Sequence, residues 1–325
     1  MIDGKKVIEI RKAGFTNKGA ELMLHSVLKK MKEKYPEVNF AMAPHPHAAP
    51  YEERIKLRLY QKPDIWMWGY QWGSLFNLIP RAFRGMYGIV LDKEVDVVID
   101  AAGFAYSDQQ GRKACLGLAN SCKRWKRNGS KVILMPQAFG PFNDPVIRNA
   151  MKIAIENADL IFARDKISYD YLVDITGERK NLKMAPDYTN LIEGELPDTY
   201  DGGENRFCLI PNYRMIDKTP IKQSESYLLF MTRCAKYLIK NNIRPFLLIH
   251  DSEQDLTLAK EINKAVGDVL PIVVETHPLK IKGIIGSCEG VIGSRFHGLV
   301  SALSQGVPAL GTGWSHKYQA LFDDY

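Results

Sequence analysis

The run Gly293-Ser294-Arg295-Phe296-His297-Gly298-Leu299 carries the densest chemistry in the chain. Val291 and Ile292 precede it, and Leu299, Ala302 and Leu303 follow at helical spacing. A strand should therefore end here and a helix begin. An Arg and a His two residues apart at such a junction would bring together a guanidinium fork, unpaired backbone N–H groups and a titratable imidazole. That combination binds an anion and can move a proton near neutral pH. A lone histidine is more often structural, but this arrangement favours function.

Other apolar runs end in weaker signals. Ala13-Gly14-Phe15-Thr16-Asn17-Lys18-Gly19-Ala20 is a glycine-containing turn into a helix, neither a GxxxxGK[ST] loop nor a GxGxxG turn. Asn17, Lys18 and Gly19 could meet an anion or polar ligand there, or Asn17 could simply cap the helix. Ala102-Gly103-Phe104-Ala105-Tyr106-Ser107-Asp108 places an acid just past a strand. Asp108 could take a proton from a sugar hydroxyl, or Ser107 or Asp108 could cap the next helix. Gln137-Ala138-Phe139-Gly140-Pro141 makes a stiff turn, and Gln137 could face a cleft. Arg164, in Ala163-Arg164-Asp165, suits a phosphate or carboxylate as well as a local ion pair. Further on come Asn212-Tyr213-Arg214, His250-Asp251 and Trp314-Ser315-His316-Lys317. His316 and Lys317 would add donors for a phosphate.

Short apolar or β-branched runs alternate with amphipathic helical segments along most of the chain, which implies crossover connections and parallel sheets. The segment Asp144-Pro145 opening DPVIRNAMKIAIENA is a helix start with a cap and a first-turn proline. Between Leu191 and Asn205 the pattern breaks into an acidic, Gly- and Pro-containing stretch, read as a linker. The expected fold is α/β, with two Rossmann-like doubly wound domains, residues 1–195 and 206–325, and an inter-domain cleft. Ligands of open α/β sheets sit beyond the carboxyl ends of the strands, where the signals above fall. Pro63 to Gly88 departs from the pattern, with Trp66, Trp68 and Trp72 and with Arg81 and Arg84 nearby. It reads as a helical insertion packed on the core, or as a surface that dips into lipid headgroups or stacks on sugars.

The 325-residue chain is 46% hydrophobic and carries a formal charge of +7, which suits an anionic small substrate or membrane surface better than nucleic acid. Five cysteines, none in a CxxC pair, argue against a disulfide framework or structural zinc. The opening MIDGKKVIEI enters a strand directly, without a signal peptide pattern, and a cytoplasmic location is expected. The one DxD-like spacing, Asp96 to Asp100, lies within a strand that should be buried, so no metal is expected.

At TNKGAELML, AGFAYSDQ, QAFGPF, ARD with Ser168, APD at 185–187, SRFHGLVSALSQGVPA and GWSHKY, the chain resembles the polysaccharide pyruvyl transferase family. The resemblance covers nearly the whole chain, and its most specific part is the Arg-x-His-Gly element. It implies a two-Rossmann fold of the glycosyltransferase type B kind and transfer of an enolpyruvyl-derived group from phosphoenolpyruvate to a sugar as a pyruvate ketal. It also implies that Arg295 and His297 belong to the donor-binding and catalytic motif. Arg295, Arg214 and Lys317 are the candidate donor cations, with Arg164 as a further candidate. His297 is the candidate acid, and Asp108 would deprotonate or orient the sugar hydroxyls. No cofactor is expected beyond phosphoenolpyruvate as donor substrate. The acceptor would be a saccharide, carried on a lipid at the inner face of the membrane. A further helix is expected beyond Tyr325. Rival readings are a nucleotide-sugar glycosyltransferase, a non-catalytic glycan-binding protein and, less favoured, a nucleotide-sugar epimerase.

Overall fold

The computed structural model describes residues 4–63, 66–67, 70–71, 76, 78–198, 200, 207–313 and 316–325, excluding the side chains of 66, 67, 70, 71 and 316. The chain forms two compact units. The first holds Met1–Thr16 and Met23–Tyr188; the second holds Asn17–Leu22 and Thr189–Tyr325.

In the first unit come β1 (Lys6–Arg11), α1 (Lys18–Lys34, from Met23 onward), β2 (Val38–Met42), α2 (Tyr51–Lys56) and β3 (Tyr60–Gln61). A small antiparallel pair, β4 (Trp66–Met67) and β5 (Tyr70–Gln71), precedes α3 (Arg81–Met86). Then follow β6 (Val97–Asp100), α4 (Arg112–Arg127), β7 (Lys131–Gln137), α5 (Pro145–Asn157), β8 (Leu160–Ala163), α6 (Lys166–Thr176) and β9 (Leu182–Met184). Seven strands make one sheet in the order β3-β2-β1-β6-β7-β8-β9, and its pairs are parallel. The order turns back between β1 and β6, because the chain returns past β1 after β3.

The apolar faces of α4 and α5 explain much of this unit's core. Cys115, Leu118, Cys122 and Trp125 of α4 pack in one cluster with Ile147, Met151 and Ile155 of α5 and with Val132 and Leu134 of β7. α5 starts where expected: Asp144 Oδ1 accepts from the Val146 N–H at 2.8 Å, with Pro145 in the first position. Such a cap is worth about 1 kcal/mol. A buried charge network interrupts the apolar interior. The Lys62 ammonium pairs with Asp92 and lies 3.7 Å from Glu9, and Arg124 reaches Asp92 at 3.0 Å. Lys62 and Glu9 are essentially inaccessible to solvent.

In the second unit come β10 (Phe207–Ile210), α7 (Arg214–Asp217), α8 (Ile221–Lys240), β11 (Pro245–Ile249), α9 (Glu253–Ala265), β12 (Ile272–Val274) and α10 (Pro278–Gly286). They are followed by β13 (Gly290–Gly293), α11 (Phe296–Leu303), β14 (Ala309–Gly311) and α12 (His316–Asp324). The five strands are parallel in the order β12-β11-β10-β13-β14. Every residue of β11 and β13 is buried, as expected for strands with helices on both faces. The opening turn of α1 belongs to this unit, where Leu22 packs with Ile192 and Leu279. The order reverses between β10 and β13, so the residues just beyond these two strands sit at the topological switch point. No helix among the described residues is long and apolar enough to cross a membrane.

Candidate functional site

Arg295 follows β13 and occupies the N-cap position of α11 in extended conformation, without a side-chain cap. Its guanidinium turns instead to the loop that leads from β11 into α9. Nε donates to Asp255 Oδ2 at 2.8 Å, and Nη2 reaches the same oxygen at 2.5 Å. Nη1 donates to Asp251 Oδ2 at 2.8 Å. Asp255 is fully buried, and its other oxygen accepts from the Tyr213 N–H at 2.9 Å. One carboxylate therefore fixes both the Arg295 side chain and the turn after β10.

Ser294 anchors the backbone beneath. Its carbonyl accepts from Asn212 Nδ2 at 2.6 Å and from the Tyr318 hydroxyl at 3.0 Å. Its hydroxyl accepts from Tyr227 at 2.7 Å and lies 2.7 Å from the Thr312 hydroxyl. Elements from four places in the second unit thus set the position of Arg295 and of the helix that begins after it.

His297 sits in the first turn of α11, half-buried, with its ring edge-on to Phe296 at 5.4 Å. The opening turn of α1 lies against it. A Cβ on Gly19 would stand 2.1 Å from His297 Nδ1, so only glycine permits this approach. In the same turn Asn17 Oδ1 accepts from the Ala20 N–H at 3.0 Å, the capping role considered for Asn17. Asn17 Nδ2 and the Lys18 N–H both donate to Asp251, at 3.2 and 3.0 Å. Lys18 Nζ pairs with Glu21 at 2.6 Å. Lys317 places its ammonium 5.0 Å from the Phe296 ring centre, a cation–π contact beside His297.

His250, at the end of β11, is buried close to these cations. Burial, then the charges of Arg295, His297 and Lys18, push its imidazole well below the ordinary histidine value. It is a neutral group at physiological pH, which spares the cluster another positive charge.

The second unit therefore brings together Asn17, Lys18, Gly19, Arg295, His297 and Lys317. Arg214 is exposed at the start of α7 and pairs with Asp217 in its own helix. The His316 side chain, with Trp314 and Ser315, lies outside the described residues, as do the side chains of Trp66, Trp68 and Trp72.

Two expected site residues belong to the first unit and have structural partners there. Asp108 accepts from the Asn143 N–H at 2.8 Å and the Asp144 N–H at 3.3 Å. It staples the loop before α5, where it is half-buried. Arg164 is buried and donates to the buried Asp187 at 3.1 Å, so its ion pair is with this acid, while Asp165 caps α6. The DxD-like spacing also resolves structurally. Asp96 accepts from the Val7 N–H at 2.8 Å, and Asp100 accepts from the Tyr106 hydroxyl at 2.6 Å. Burial raises the Asp100 carboxyl above its usual range despite that bond. Gln137 donates to Asp100 at 3.3 Å and is itself fully buried.

Solved structures with a similar fold include a putative UDP-N-acetylglucosamine 2-epimerase from Listeria monocytogenes (TM-score 0.60, 11% identity, 98% of this chain and 82% of that chain). Anabaena Alr3699/HepE in complex with UDP and glucose superposes with a TM-score of 0.54 at 13% identity, over 96% of this chain and 82% of that one. The S. aureus MnaA–UDP structure gives 0.54 at 13% identity, over 94% and 78%. At these identities the likeness concerns the fold, which is of the glycosyltransferase type B kind. No curated protein matches the chain significantly by sequence. The family model of polysaccharide pyruvyl transferase matches residues 17–316, a span that begins at the Asn17 turn and ends at the start of α12, and the chain belongs to that family.

Proposed function

We propose that this transferase moves the three-carbon unit of phosphoenolpyruvate onto a sugar of a surface or capsular polysaccharide precursor, forming a cyclic pyruvate ketal. The observation that carries the reading is the placement of His297. It stands at the first turn of α11, next to a rigidly braced Arg295 and under the opening turn of α1.

The reaction needs one proton delivered to carbon. His297 donates it to the enol methylene, which becomes the methyl group. One sugar hydroxyl adds to the central carbon, and the second displaces phosphate. Two hydroxyl protons are released: one restores the imidazolium and the other leaves with phosphate or water. An imidazole is suited to both halves of this cycle at neutral pH. Arg295, Lys317 and Arg214, with the polar turn Asn17-Lys18-Gly19, are the proposed partners of the donor's carboxylate and phosphate. The chemistry uses a proton donor throughout, so turnover is expected to persist in chelator.

The acceptor is proposed to be a lipid-linked saccharide met at the cytoplasmic face of the membrane. The exposed Leu78, Phe83, Met86 and Tyr87 around α3, beside the exposed Arg81, support this, since apolar side chains with a basic neighbour suit a lipid interface; Arg84 is buried and pairs with Glu94.

The test is phosphate release from phosphoenolpyruvate with a panel of saccharide acceptors, lipid-linked and soluble. Acceptor-dependent release that disappears in His297→Ala is the expected result. Near-full turnover by that variant would sink the role of His297. Binding of a uridine or guanosine nucleotide with no response to phosphoenolpyruvate would replace the reading with a nucleotide-sugar glycosyltransferase.

A further inference from the structure

The two carboxylates on Arg295 are not equivalent. Asp255 is wholly inaccessible and also holds the Tyr213 N–H, so it cannot leave without uncovering two donors. The Asp251 side chain retains 11% exposure and lies on the loop between β11 and α9. Around Asp251 the donors come from separate segments: the Lys18 N–H at 3.0 Å, Asn17 Nδ2 at 3.2 Å and Arg295 Nη1 at 2.8 Å. A helix-start N–H, an amide and a guanidinium are the donors a substrate phosphate or carboxylate would use. All of them are turned toward a carboxylate of the protein itself. One guanidinium already faces two carboxylates, Asp255 and Asp251, a poor reception for a further anion.

We infer that Asp251 is a positioning residue that occupies the anion seat of the ligand-free enzyme and yields it to the anionic group of the donor. Asp255 is the fixed anchor and Asp251 the exchangeable one. Until the donor arrives, Asp251 keeps Asn17, Lys18 and Arg295 in register. The donor must then outcompete a tethered carboxylate, which lowers its apparent affinity by the fraction of time the seat is taken. The inference rests on the phosphoenolpyruvate reading for the identity of the anion, but not for the exchange itself.

The substitution Asp251→Asn separates charge from shape. Its Oδ1 can still accept the Lys18 N–H, while its NH2 group cannot accept from Arg295 and releases Nη1. Inorganic phosphate binding is measured by calorimetry on the wild-type chain, Asp251→Asn and Asp255→Asn, with thermal midpoints recorded alongside. The expectation is about tenfold tighter phosphate binding in Asp251→Asn, a lower KM for phosphoenolpyruvate relative to kcat, and weaker binding in Asp255→Asn. Asp251→Ser serves if the Asn variant does not fold. Phosphate affinity equal to or weaker than wild type in a normally melting Asp251 variant overturns the inference. So does failure of both wild type and variant to bind phosphate at all. Tighter phosphate binding without pyruvyl transfer to any acceptor leaves the exchange standing and removes the phosphoenolpyruvate reading. Transfer activity with no gain in affinity does the reverse.

Discussion

Gly19 and His297 are in contact so close that a Cβ on the glycine would fall 2.1 Å from the imidazole Nδ1. The contact sets the side chain's position from above, as Phe296 does from beside it. Gly19→Ala must push the ring aside, and a displacement of about 1 Å at a reacting group can cost roughly 100-fold in rate. The expected outcome is a loss of that order in kcat/KM. Gly117→Ala is the control, because Gly117 lies inside α4 with nothing within 4 Å of an added Cβ. It should leave turnover unchanged and raise stability by about 0.5–1 kcal/mol, read by chemical denaturation.

His250 gives a pH dependence with a definite sign. Its folded-state value lies well below 6.5, through burial first and the neighbouring positive charges next. The unfolded chain takes up a proton near pH 6.5 that the folded chain refuses until the pH is much lower. Stability contributed at this position is therefore complete above that value and is lost as the pH falls below it, by at most about 1.4 kcal/mol per pH unit. Thermal midpoints of wild type and His250→Gln should converge at acid pH relative to their separation near pH 7.5. Parallel curves would mean that the His250 imidazole takes up its proton over the same pH range in both states, and would overturn this reading.

Glu9 has two cations within 4 Å among the described residues, Arg11 and Lys62, and the Lys62 ammonium also holds Asp92. Lys62→Ala leaves the buried Glu9 short of a cation, and breaking a buried pair from one side costs about 3–5 kcal/mol. Lys62→Ala with Glu9→Gln should recover part of that loss, because the stranded charge goes with it. Urea denaturation of the two variants distinguishes this from a simple loss of packing.

Much of the site's framework could be read from the chain because it lies where periodicity changes. The alternation around Val291–Ile292 gives way to helical spacing at Leu299, and Arg295 and His297 sit at that change. The Asp144–Pro145 helix start was legible for the same reason. What the sequence concealed depends on distant partners. Asp255 looks like an ordinary first-turn acid, since its N–H donates to the Ser252 cap at 3.2 Å, and its role as the Arg295 anchor appears only in three dimensions. Asp108 has the look of a strand-end acid, and its bonds to the amides of Asn143 and Asp144 appear only in the folded chain. β3 has two residues, too few for any pattern, although it extends the sheet beyond β2. The affinity of Gly19 for the space beside His297 leaves no mark on either local sequence.

The cysteines have a practical consequence for following this protein at work. Burial lifts the Cys115 thiol to about 11 and that of Cys122 to about 12. It carries Cys208 far above its ordinary range and raises Cys234 as well, while Cys288 is buried. Thiolates are the species that react with maleimides, so the native chain should be nearly silent to such dyes at neutral pH. Phe83→Cys, on the exposed side of α3, would then take up a single fluorophore against a dark background. Its emission would report directly whether that surface leaves water when vesicles are added.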